Sequence, residues 1–66
     1  MKLTFTSSLD SQGLPVSYSV DGDISHDGEI VPIGFASANF NRAFDELRYW
    51  VHLCPSAQVD FKTITA

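Results

Sequence analysis

Apolar and polar residues alternate from the start of the chain. In "KLTFTSSL", residues 2–9, Leu3, Phe5 and Leu9 fall on one face and Lys2, Thr4 and Thr6 on the other. A period of two, enriched in Thr and Phe, predicts a half-buried strand. "DSQG" follows as a loop of turn-forming residues that ends in glycine. "LPVSYSV", residues 14–20, then sets Leu14, Val16, Tyr18 and Val20 against serines, a second strand with Pro15 at its start or on an edge. Two such runs joined by a short polar loop predict a β-hairpin.

Residues 21–29 break the alternation with two Asp-Gly steps, at 21–22 and 27–28, and each is a turn signal. "EIVPIGF", residues 29–35, is apolar but interrupted by Pro32 and Gly34, and reads as an extended connector or a short edge strand. The pattern then changes period. Phe40, Phe44, Leu47, Val51 and Cys54 recur at alternating spacings of four and three, one stripe of an amphipathic helix that Ala43 and Trp50 widen. Asn39, Arg42, Asp45, Glu46, Tyr49 and His52 take the other faces, Ser37 or Asn39 caps the start, and Pro55 ends the helix at Cys54. "AQVDFKTIT", residues 57–65, alternates again with Val59 and Phe61 inward, as a last strand.

These elements predict a single α+β domain spanning residues 1–66, a small two-layer sandwich in β-β-α-β order. Three strands form an antiparallel sheet of order 2-1-3, and one main helix covers one face. The opposite face, rich in Ser and Thr, is left to solvent.

At 66 residues and 44% hydrophobic, the chain is long enough for one modest core. Per-residue scaling sets its stability at about 3–10 kcal/mol. A lone cysteine, Cys54, excludes an internal disulfide framework. No run approaches a membrane span and none reads as a signal peptide, so the expected location is the cytoplasm, without a membrane partner. The net charge of −4 is unevenly placed. Residues 3–41 contain no Lys or Arg, yet hold Asp10, Asp21, Asp23, Asp27 and Glu29. Such a field repels nucleic acid and attracts basic protein surfaces.

Candidate chemistry is sparse. "DISHDGEI", residues 23–30, places Asp23, Ser25, Asp27 and Gly28 as a calcium loop would, but Gly34 stands where the bidentate glutamate belongs and Pro32 lies within the loop. His26 and His52 are too isolated to suggest zinc. Cys54 lies at a helix C-terminus, the wrong end for a low-pKa nucleophile, and two residues from His52 it shares no helix face with it. Asp45 and Glu46 lie near Arg42 and Arg48 as local surface pairs. There is no phosphate loop and no nucleophile elbow. The expectation is therefore no enzyme, no catalytic residue, no cofactor and no metal, and four basic residues are too few for direct binding of nucleic acid.

Small size, net acidity, a lone cysteine and the lack of a catalytic motif give a chain that resembles the small phage-encoded anti-CRISPR proteins, inhibitors of type I systems in particular. The resemblance is one of size and character over the whole chain, with no shared motif. It implies a monomeric inhibitor in the host bacterial cytoplasm. Its partner would be a basic protein surface on a CRISPR surveillance complex subunit, and it would block recognition of target DNA and its PAM by charge mimicry. Asp21, Asp23, Asp27 and Glu29 are the expected contact residues, with Asp10, Asp45 and Glu46 as secondary ones. The alternative is a non-catalytic phage accessory or assembly module acting through a sheet edge or apolar contacts.

Overall fold

The computed structural model describes residues 1–65. Four strands and one helix follow one another as β1 (Lys2–Leu9), β2 (Pro15–His26), β3 (Glu29–Ser37), α1 (Phe40–Leu53) and β4 (Gln58–Thr65). The strands form one sheet of order β3-β2-β1-β4, with β2 antiparallel to both its neighbours and β4 parallel to β1. The two-layer α+β arrangement is as expected. The three-stranded antiparallel sheet of order 2-1-3 is not.

Two local features account for that correction. The first Asp-Gly step does not turn the chain. Asp21 and Gly22 lie inside β2, where Gly22 sits between Leu3 and Ile33 with φ 141°. A Cβ there would meet the carbonyl oxygen of Lys2, so only glycine lets β1 approach. The second step does turn it. Asp27 and Gly28 both have positive φ, 52° and 79°, and His26 pairs with Glu29. That is the two-residue type I′ hairpin for which Asp-Gly is suited. Residues 29–37 then continue as a full strand, with Pro32 and Gly34 on the sheet edge. The extra strand reverses the direction in which the helix is entered, so the crossover delivers β4 parallel to β1.

The core lies between the sheet and α1. Leu3, Phe5, Val20, Ile24 and Ile33 meet Ala43, Leu47 and Cys54, all buried. Asn39 caps the helix, its side chain accepting from the Arg42 N–H at 3.3 Å, while the Ser37 hydroxyl accepts from the Asn39 N–H at 3.0 Å. At the other end Cys54 packs its sulfur 3.6 Å from that of Met1. The helix lies over β2 and β3. Its Phe40 and Phe44 reach Phe5, and Phe40 also packs edge-on against Tyr18 at 5.2 Å. Among the described residues no helix is long and apolar enough to cross a membrane.

Candidate functional site

Strand alternation sorts Lys2, Asp21, Asp23, Asp60 and Lys62 onto the face without the helix, while Glu29, paired with His26, takes the helix-side phase. Because Leu3, Phe5, Val20 and Ile24 point to α1, Lys2, Thr4, Asp21 and Asp23 point away from it. The register places Asp23 opposite Lys2, and Asp21 opposite Thr4, which in turn pairs with Asp60. The Lys2 ammonium turns from Asp23 to Asp60 and holds its carboxylate at 2.7 Å. Asp21 and Asp23 are exposed and make no ion pair among the described residues. Two residues apart on one face, their side chains are about 7 Å from each other along the strand. Around them stand Thr4, Ser19 and Ser25, polar and uncharged.

The same hairpin carries the other two expected contact residues at its tip. Asp27 occupies the turn, with its carboxylate 3.5 Å from His26 Nε2, and Glu29 opens β3. The acids Asp21, Asp23, Asp27 and Glu29 thus decorate one ribbon, residues 15–37, that contains no Lys or Arg.

The secondary residues do not join them. Asp10 lies in the loop at the far end of β2, about 36 Å of extended strand from the tip. Its Oδ1 accepts from the N–H groups of Gln12 and Leu14, each at 2.9 Å, which shapes that loop. Asp45 and Glu46 belong to α1, in the other layer. Asp45 lies 3.7 Å from Arg48, while Glu46 accepts the Trp50 indole N–H at 3.1 Å instead of pairing with an arginine.

A second surface was not legible in the pattern of the chain. Val59 and Phe61 face the helix layer as their alternation requires, but α1 sits over the opposite half of the sheet. Phe61 is therefore 69% exposed, although its ring lies 5.9 Å from that of Phe5. Between α1 and β4 runs a groove of about 760 Å³, floored by Phe44, Leu47, Val51, Val59 and Phe61 and rimmed by Asp45, Arg48 and His52. Alternation says which face a residue takes, not how far the second layer extends over it.

Asp23, Ser25 and Asp27, the calcium-loop positions, are strung along a strand and into its turn, so no loop closes around an ion. Among the described residues no three His, Cys, Asp or Glu side chains converge as metal ligands. Cys54 is buried beside Met1 and the carbonyl of Ser25. His52 is exposed on the helix surface. No protein-family model, no curated protein and no solved structure matches the chain.

Proposed function

We propose that this protein is a non-catalytic inhibitor that binds a basic surface of a nucleic-acid-binding protein and occludes it by charge mimicry. A type I CRISPR surveillance complex, at the subunit surface that reads target DNA and its PAM, is the partner class the proposal names. The observation that carries it is the base-free acidic hairpin, with Asp21 and Asp23 unpaired on its open face and Asp27 and Glu29 at its tip. Carboxylates in a row on a rigid sheet stand in for successive phosphates, and arginine forks take both groups in the same bidentate way. Fixed by main-chain pairing on both sides of β2, Asp21 and Asp23 bring a backbone that is already ordered before binding.

The test is a gel-shift competition with a purified type I complex and its target duplex. The expected outcome is loss of the shifted band on addition of the protein. A quadruple variant, D21N, D23N, D27N and E29Q, should leave the band intact, and inhibition should fall steeply as salt is raised. Undiminished DNA binding in the presence of the wild-type protein would overturn the reading.

A second reading, an accessory or assembly module working through apolar contacts, is supported by the groove between α1 and β4 and the exposure of Phe61. Contacts of that kind are tolerant of salt, which separates the two readings in the same assay.

A further inference from the structure

We propose that β4 is a self-association edge, on which a second copy of this chain pairs antiparallel about a twofold axis at Phe61. The inference is independent of the acidic hairpin and replaces the expectation of a monomer.

The sheet has two open edges, and they are chemically unlike. On β3 the residues paired to β2 alternate with residues whose main-chain groups face outward. Proline has no N–H to give to β2, so Pro32 belongs to the outward set, together with Gly34. That edge is blunted in the usual way. The β4 edge is not. Its eight residues contain neither Pro nor Gly. The Gln58 N–H donates to the Met1 carbonyl at 3.1 Å, which sets the phase of the parallel ladder. Gln58, Asp60, Lys62 and Ile64 turn their main-chain groups toward β1, leaving those of Val59, Phe61 and Thr63 pointing out from the sheet.

One register satisfies those groups and the side chains together. With the axis at Phe61, Phe61 meets its own copy, and Val59 meets Thr63 on either side. These are the hydrogen-bonded positions, and the three pairs exchange about six main-chain hydrogen bonds. Between them lie the close non-hydrogen-bonded positions, with Cα atoms about 4.5 Å apart. There Asp60 of one copy faces Lys62 of the other, twice, by symmetry. An axis at Asp60 or at Lys62 would instead set like charges against each other, and an axis at Val59 or Thr63 would place Asp60 and Lys62 opposite uncharged residues. Lys62 has no acidic partner among the described residues, so the pairing supplies one. On the helix side the two Phe61 rings come together where the two grooves meet, covering the most exposed aromatic ring of the sheet. An isologous contact of this kind requires a self-complementary patch, and β4 is one.

Sedimentation equilibrium of the full chain from about 1 µM to about 1 mM, a range that spans weak edge-paired dimers, tests the proposal. The expected result is a molar mass that rises to twice that of the monomer. D60K and K62D should each remain monomeric, with circular dichroism showing both folded, since an exposed ion pair such as Lys2–Asp60 contributes little stability. Mixed in equal amounts, the two variants restore opposite charges at both positions and should form a heterodimer. A wild-type chain that stays monomeric throughout overturns the proposal and leaves the groove to a different protein. Self-association that persists undiminished in both single variants, or a mixture that fails to associate, overturns it as well.

Discussion

Gly22 and Gly34 are both strand glycines, and their surroundings make them opposites. At Gly22 the backbone takes φ 141° and a Cβ would run into the Lys2 carbonyl, whereas a Cβ at Gly34 meets nothing within 4 Å. Gly22→Ala should therefore cost about 2–4 kcal/mol through strain and separation of β1 from β2. Gly34→Ala should stabilise by about 0.5–1 kcal/mol through the unfolded chain. Urea denaturation of the two variants checks both, and equal midpoints would contradict the contrast. Gly22 also belongs to the Asp-Gly step that does not turn the chain, in contrast to Asp27-Gly28, which does. The dipeptide alone is a turn signal in either place. What distinguished them was already in the sequence, since Ile24 continues the even-numbered phase of Tyr18 and Val20 across Gly22. The close approach that demands glycine there is a property of the paired strand, and no local pattern reports it.

At the scale of elements, the helix was the most legible because its stripe is long and its ends carry their own chemistry. Asn39, not Ser37, is the cap, and Ser37 supports it from outside the helix. Asn39→Ala should cost about 1 kcal/mol. In a domain of this size that lowers Tm by roughly 4–8 °C, readable by thermal melting at 222 nm. Leu47→Ala, in the centre of the core, should cost about 2–5 kcal/mol and leave a marginal or unfolded chain. β3 was the least legible element. Val31, Ile33 and Phe35 do alternate toward the helix, but Ile30 on the opposite face and Pro32 and Gly34 in between hide the period. Read as a connector or a short edge strand and left out of the expected sheet, β3 changed more than a count. Each added antiparallel strand reverses the direction of the chain, so the parallel pairing of β4 follows from β3 alone.

On the scale of the whole molecule, the distribution of charge matters more than its total. The described chain is an elongated body of 43 × 17 × 15 Å. The Lys and Arg residues are confined to β1, β4 and α1, and the β2–β3 hairpin has none. The base-free stretch, residues 3–41, was visible in the sequence, and four of its five acids, Asp21, Asp23, Asp27 and Glu29, map onto the β2–β3 ribbon. Its reach was not, because Asp10, in the same stretch, lies at the other end of β2. Removing the Asp10 acceptor should consequently affect stability through its loop while leaving affinity for a partner of the proposed kind near that of the wild type, a difference that binding and melting experiments on D10A would show. The asymmetry of the two sheet edges has a consequence for how far assembly can go. A sheet with two competent edges adds copies without limit, whereas one with Pro32 on β3 and an open β4 is closed once two copies have met. Pro32 is in this sense a chain terminator for the assembly. P32V should retain the fold yet turn a finite particle into a growing one, seen as light scattering that rises with time and concentration where the wild-type protein reaches a plateau.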